Sequence, residues 1–154
     1  LFRELARLAS RVDLLIVDTA AGISNNVISL LLSADEVHLV VSTEPTSVVD
    51  AYAVVKVMGE LDPSKPFGVI TNMVGDDREG LELFGKLSRA TRKFLGKRLE
   101  HLGSVRRDPR LIDAVRSQEP LVRFDPRSHA AQDFARLAQV VQRRLSREKK
   151  AGLV

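Results

Sequence analysis

Hydrophobic positions along the chain form two patterns, short uninterrupted runs and longer stretches with helical spacing. A parallel strand covered on both faces is apolar along its length, and four runs fit this description: residues 13–18, 36–43, 67–73 and 102–106. Apolar positions that recur every three or four residues predict helices at residues 1–10, 24–33, 48–61, 78–99, 108–117 and from 128 onward. No Asn-Gly hairpin signal separates the strands. The sequence therefore predicts an α/β fold, a parallel sheet with helices on both faces.

Polar residues at the helix starts support these boundaries. Side chains that can cap a helix precede three of them: Ser24 or Asn25, Thr46 or Ser47, and Ser128. Asp108 is predicted to cap a fourth helix, because Pro109 follows it and proline is favoured at the first helical position. We expect residues 1–154 to form a single domain, with 143–154 as a helix end or a flexible tail.

Composition is that of a globular domain of ordinary size. Of the 154 residues, 44% are hydrophobic and 29% are charged, and the net charge is +4 at pH 7. There is no cysteine, and the three histidines do not have the spacing of a zinc motif. No apolar run reaches the roughly 20 residues needed to cross a bilayer. The mild positive charge permits an acidic partner without requiring one.

The first predicted strand ends in a carboxylate, Asp18, and a run of small residues leads from it to Gly22. Ligands of open parallel sheets lie at the carboxyl ends of the strands, where Asp18 is placed to hold a metal-bound water. Gly22 would let its backbone N–H approach a phosphate, because no Cβ stands in the way. The alternative is an ordinary turn, with Asp18 as a turn residue and Gly22 at the entry of a helix.

Several motifs in order resemble one family. The Asp-Thr-Ala-Ala-Gly run at 18–22 resembles the second switch motif of the MinD/ParA-type P-loop ATPases. Residues 34–47 resemble that family's next strand and loop, and residues 46–56 resemble its flagellar-number-regulator branch, FlhG/FleN. Residues 103–108 and 114–120 resemble its late nucleotide-side loop and helix. The match covers nearly the whole chain, although each motif alone would be weak.

The resemblance implies a role for particular residues around ATP or ADP. Asp18 would hold the water shell of Mg²⁺, and Gly22 would offer its N–H to the γ-phosphate and move when that phosphate leaves. Asn72 would contact the adenine; its alternative is a strand-end Asn that satisfies loop backbone. Pro45 would shape the wall of the site or a dimer face.

The loop from Arg106 to Asp108 would flank the base. Many relatives have an Ile-Pro pair where this chain has Val105 and Arg106, so the base contact departs from the family pattern here. Asp108 has the competing role of a helix cap.

One family feature is missing from these residues, the glycine-rich loop with Lys and Ser/Thr that cradles phosphates. We therefore expect the chain to be the carboxyl-terminal portion of a longer protein and, alone, not to hydrolyse ATP. In the family's sheet the P-loop strand lies between the strands at 13–18 and 36–43. We expect these two strands either to pair with each other, with distortion, or to recruit another chain, because open apolar strand edges favour pairing.

The resemblance implies that the parent protein is a slow Mg²⁺-dependent ATPase that dimerises around ATP and cycles on and off the membrane to control flagellar number or placement. Its implied partners are a second copy, a flagellar signal-recognition-type GTPase, and switch-ring or transcription-activator proteins. It would be cytoplasmic or peripheral at the inner face of the membrane, without direct nucleic-acid contact. The alternative is a non-enzymatic module that binds protein partners without nucleotide. A phospho-acceptor receiver domain lacks support, because the acidic pair and the late Lys of that fold are absent.

Overall fold

A three-stranded parallel sheet forms the centre of the fold. The computed structural model describes the backbone of residues 2–150 and the side chains of residues 3–146. The strands are β1 (Val37–Val41), β2 (Phe67–Val74) and β3 (Glu100–Arg106), and they lie in the order β1-β2-β3. Both pairs are parallel. The sheet confirms the predicted α/β class.

Seven helices are present in the described residues: α1 (Phe2–Ala9), α2 (Asn25–Ser33), α3 (Pro45–Leu61), α4 (Asp77–Leu95), α5 (Arg110–Arg116), α6 (Leu121–Phe124) and α7 (His129–Lys150). Helix α3 connects β1 to β2, and α4 connects β2 to β3. Of the predicted end segment 143–154, the part through residue 150 continues α7, and residues 151–154 lie outside the described residues. No helix in the described part of the chain combines the length and the apolar content needed to span a membrane.

Two hydrophobic cores lie on opposite faces of the sheet. Val69 belongs to the larger core, and its neighbour Ile70 packs against the smaller one; successive strand residues point to opposite faces. The larger core joins the strands to α3 and α4 through side chains that are at most 1% exposed, among them Val55, Met58 and Leu87. The smaller core joins β3 to the three last helices, as the predicted two-sided sheet requires.

The strand predicted at residues 13–18 is not formed. These residues are irregular, and their apolar side chains are exposed, with Ile16 at 78%. β1 pairs only with β2 in the described residues, so the expectation that the segment and β1 pair with each other is wrong. An extended segment becomes a strand only when it forms a ladder of hydrogen bonds with a neighbouring strand, and the described sheet includes no residue of this segment. Recruitment of another chain stays a prediction.

The capping predictions succeed for α2 and fail for α3. Ser24 is the N-cap of α2, and its hydroxyl accepts from the N–H of Val27 at 3.5 Å. Helix α3 begins at Pro45, ahead of both predicted caps, because the fixed φ of proline suits the first helical position. The hydroxyl of Ser47 instead accepts from the N–H of Ser42 at 3.0 Å.

Helix α4 ends earlier than predicted. Its start is capped by Asp76, whose carboxylate accepts from the N–H of Glu79 at 2.8 Å. Gly96 follows Leu95 with φ +66, the left-handed conformation that terminates helices. The predicted continuation to residue 99 is therefore wrong, and the freed residues allow β3 to begin at Glu100.

Candidate functional site

The carboxyl ends of β2 and β3 bring two of the predicted site segments together. Asn72 pairs in register with Val105, and Val74 pairs with Arg106. The N–H of Arg107 donates to the carbonyl of Val74 at 2.7 Å, which ties the two loops beyond the strands to each other. This edge is where open parallel sheets bind ligands.

Asn72 is half-buried at this edge. Its side-chain oxygen accepts from the N–H of Met73 at 2.9 Å, and Met73 has φ +58. The amide oxygen thus satisfies backbone at an irregularity within the end of β2, a role close to the alternative interpretation of Asn72, which placed that backbone in a loop. The NH₂ group of the same side chain supplies donors that suit a base, so the two roles are compatible.

Arg106 is held by a buried carboxylate on α7, that of Asp133. The backbone N–H and Nε of Arg106 both donate to Oδ2 of Asp133 at 2.9 Å, and Nη2 donates to Oδ1 at 2.8 Å. Nη2 also donates to the carbonyl of His129 at 3.3 Å. The side-chain hydrogen bonding of Arg106 to the Asp133 carboxylate is the main cause that raises the pKa of Arg106. These hydrogen bonds therefore hold the Arg106 side chain against α7.

Asp133 is 0% exposed. Burial acts to raise the pKa of its carboxyl, but the hydrogen bonds from Arg106 and the charges of Arg106 and Arg136 outweigh burial and lower it. Arg136 forms a further ion pair with Asp133 and lies 4.0 Å from Asp77, the first residue of α4.

The carboxylate of Asp108 accepts from backbone N–H groups in the first turns of two helices, α5 and α7. Its Oδ1 accepts from the N–H of Arg110 at 2.9 Å, and its Oδ2 accepts from the N–H of Ala130 at 3.0 Å. The bond from Ala130 is the main cause that lowers the pKa of Asp108. Helix α5 begins at Arg110 and its N-cap position is Pro109, one residue later than predicted. The predicted N-cap position of Asp108 is therefore wrong, although its carboxylate does accept from the first N–H of α5.

The remaining predicted site residues lie on other segments. Pro45 is the first residue of α3, shortly beyond the carboxyl end of β1. Asp18 and Gly22 lie in the irregular segment before α2, and a Cβ added at Gly22 would meet nothing within 4 Å. Gly22 has φ +95, so the conformation itself favours glycine. Among the described residues, no recorded hydrogen bond joins Asp18 or Gly22 to Asn72 or Arg106.

The Asp18 side chain is exposed, and the described residues contain no group of three His, Cys, Asp or Glu side chains that would hold a metal by themselves. Magnesium keeps several waters and takes one or two carboxylates together with nucleotide phosphates. A single exposed carboxylate therefore fits a water-mediated contact in which phosphates supply the other ligands.

Sequence reasoning missed Asp133. In α7 the apolar residues Phe134 and Ala138 are exposed, while Ala130, Ala131 and Asp133 are buried. The signal was present in the helical spacing, because Asp133 lies three residues after Ala130 and four before Leu137, on the apolar face. A carboxylate in that position requires a cationic partner.

Comparison with known proteins gives three relatives. The chain is 38% identical over 141 residues to the antiactivator FleN of Pseudomonas aeruginosa, covering 92% of this chain and 50% of that protein. It is 27% identical to the flagellum site-determining protein YlxH of Helicobacter pylori, covering 88% of this chain and 46% of that protein. It is 29% identical to an uncharacterized ATP-binding protein of Methanocaldococcus jannaschii, with coverages of 84% and 46%. The chain thus spans about half the length of the curated relatives it matches. No family model matches it.

Proposed function

Because the chain belongs to the FlhG/FleN-type family of flagellar regulators, we propose that it is the carboxyl-terminal part of an ATP-binding protein that controls flagellar number or placement. The observation that carries the proposal is the 38% identity to an antiactivator across 92% of the chain. The parallel sheet adds support, since Asn72 and the Arg106–Asp108 loop meet at its ligand-binding edge.

In the proposed cycle, this chain supplies the base-binding side of a nucleotide site and two of the residues near the phosphates. Asn72 and the loop after β3 hold the adenine, while Pro45 contributes to the wall of the site or to the face between two copies. Asp18 holds the water shell of Mg²⁺, and Gly22 senses the γ-phosphate through its N–H. Magnesium supplies charge neutralisation at the phosphates when it is bound.

ATP then favours a dimer, and slow hydrolysis returns the protein to its monomer and releases it from the membrane. The relative named ATP-binding supports the nucleotide. The relative named an antiactivator supports a transcription activator as a partner. A signal-recognition-type GTPase and switch-ring proteins are further proposed partners.

A non-enzymatic interaction module is the second candidate. Two observations favour it: the lack of a glycine-rich phosphate loop in these residues, and the use of the Asp108 carboxylate and the Arg106 side chain within the fold. In this account the sheet edge serves only to present loops to a protein partner.

Thermal melting of the complete gene product with Mg·ATP and Mg·ADP separates the two candidates. A ligand that binds the folded state raises the melting temperature, so the ATP-binding account expects a rise of a few degrees at saturating nucleotide. Asp18→Ala should remove the magnesium dependence of that rise. Asp50→Ala, another exposed Asp, on α3, is the matched control and should keep it.

No rise with either nucleotide would support the interaction module. Deletion of the gene tests the proposed regulatory role. The number or position of flagella per cell should change whether or not the protein binds nucleotide. An unchanged flagellar pattern would overturn the regulatory assignment.

A further inference from the structure

Asp133 lies at the centre of a network that joins α7 to the end of β3 and to the start of α4, near the candidate base site. It holds Arg106 at the end of β3 through three hydrogen bonds of 2.8–2.9 Å. Through Arg136 it also approaches Asp77, the first residue of α4, which begins shortly after β2, the strand that carries Asn72. One buried side chain on α7 therefore contacts the end of β3 directly and the start of α4 through a single arginine.

The attachment of α7 to the β3 loop is reciprocal. The carboxylate of Asp133 accepts from the backbone of Arg106, and the carboxylate of Asp108 accepts from the backbone of Ala130 in the first turn of α7. Ala130 is fully buried, so the first turn of α7 has little freedom to shift. Two carboxylates thus fix the path of the chain between Arg106 and Asp108 from both ends.

We propose that Asp133 is a positioning residue for base recognition: it sets the loops after β2 and β3 in the arrangement that receives the adenine. The inference rests on the proposed ATP-binding function. Asp133 is buried and does not itself touch nucleotide in this account. It acts through Arg106 and Arg136, which a neutral side chain would bind with less charge complementarity.

The alternative is that Asp133 only stabilises the fold. A purely structural defect lowers affinity for every ligand of the site, whereas a base-positioning defect lowers affinity for ligands that carry a base. Inorganic tripolyphosphate has the phosphates of ATP without the adenine. The ratio of the two affinities therefore distinguishes positioning from general destabilisation.

The experiment measures binding of Mg·ATP and Mg·tripolyphosphate to the complete gene product by calorimetry. Asp133→Asn should weaken ATP about tenfold, or about 1.4 kcal/mol, and leave tripolyphosphate within about twofold, a difference of about 0.4 kcal/mol. Asp113→Asn is the control, because Asp113 also pairs with an arginine but is 46% exposed on α5. It should leave both affinities unchanged.

If Asp133→Asn does not fold, Arg106→Lys provides the second variant, since lysine keeps the charge and loses the planar fork. It should show the same selective loss of ATP affinity. Equal losses for the two ligands, or no loss for either, would overturn the positioning role while leaving ATP binding intact. Failure of the unaltered protein to bind ATP would instead overturn the proposed function, and the inference with it.

Discussion

The backbone N–H and the guanidinium of Arg106 both donate to the carboxylate of Asp133, which is completely buried on α7. Because of this pairing, the free energy of unfolding depends on pH in the acid range. Burial acts to raise the pKa of Asp133, but the bonds from Arg106 prevail and lower it. A carboxyl whose pKa is lower in the folded state stabilises the fold above its unfolded pKa of about 3.9, and this contribution is lost as the pH falls through the folded value.

We predict that Asp133→Asn lowers the free energy of unfolding by about 2 kcal/mol at pH 7, because Arg106 loses a charged acceptor. The difference from the unaltered chain should shrink as the pH falls below about 4. Urea unfolding at a series of pH values measures both effects. Asp113→Asn should cost less than about 0.5 kcal/mol, as exposed pairs do. A difference that does not change with pH would argue against a charged Asp133.

Gly80 allows α4 to lie close to β2 and β3. A Cβ at this position would come within 2.8 Å of Thr71 Oγ1 and 2.9 Å of Ser104 Cβ, two buried residues. We predict that Gly80→Ala destabilises the fold by about 1–3 kcal/mol through overpacking.

Gly85 on the same helix is the matched control for Gly80. An added Cβ there would meet the end of the Arg89 side chain at 3.1 Å, and that side chain can move. Gly85→Ala should therefore stabilise the helix by about 0.5–1 kcal/mol, since alanine is the better helix former. Thermal unfolding of both variants checks the pair. Equal changes in the unfolding temperature of the two variants would mean that close packing against Thr71 and Ser104 does not set the cost of Gly80→Ala.

The irregular segment at 14–17 predicts rapid hydrogen exchange. Its side chains are exposed, and it pairs with no strand of the sheet that the structure describes. The amides at 69–71 of the central strand β2 should exchange near the rate of global unfolding. Mass spectrometry of deuterated peptides from the chain, with its oligomeric state measured in parallel, compares the segments. Protection of 14–17 in a monomer would contradict the unpaired segment, whereas protection in an oligomer would support recruitment of another chain.

Arg144 connects α7 to the amino ends of the outer strands. It forms an ion pair with Glu36, just before β1, and its Nη1 lies 2.6 Å from Glu100 at the start of β3. Arg144→Met should cost about 1 kcal/mol, more than a fully exposed pair, because Glu36 is only 17% exposed. The loss should fall in high salt. Arg143→Met, at the exposed neighbouring position, is the control in chemical unfolding, and equal effects would contradict this role of Arg144.

The sequence predicted those elements whose partners lie within the described chain. The strand expected at 67–73 forms as Phe67–Val74, because its apolar residues are covered by helices on both sides. The run at 13–18 is also largely apolar but forms no strand, since strand formation depends on a neighbour that a local pattern does not reveal. The sequence also predicted that the side chains of Ser24 and Asp108 bond to backbone at a helix start, because both accept from N–H groups only two or three residues away.

Less of the candidate site than of the fold could be predicted from the sequence. Asp133 and Arg106 are separated by 27 positions along the chain, and no local pattern predicts which charged residues pair across that distance. Motif resemblance placed Asn72 and Arg106 at one edge of the sheet, and the register of β2 and β3 does bring their segments together. Only the three-dimensional structure shows that the Arg106 side chain is already paired with a buried carboxylate.

Photo-crosslinking with an azido-adenine analogue of ATP tests the central claim, that this chain supplies the base side of a nucleotide site. The complete gene product is irradiated with the probe and Mg²⁺, and the modified peptides are mapped by mass spectrometry with and without excess ATP. The account predicts crosslinks that ATP suppresses in the peptides containing Asn72 or the Arg106–Asp108 loop. Crosslinks confined to other residues, or crosslinks that ATP does not suppress, would contradict it.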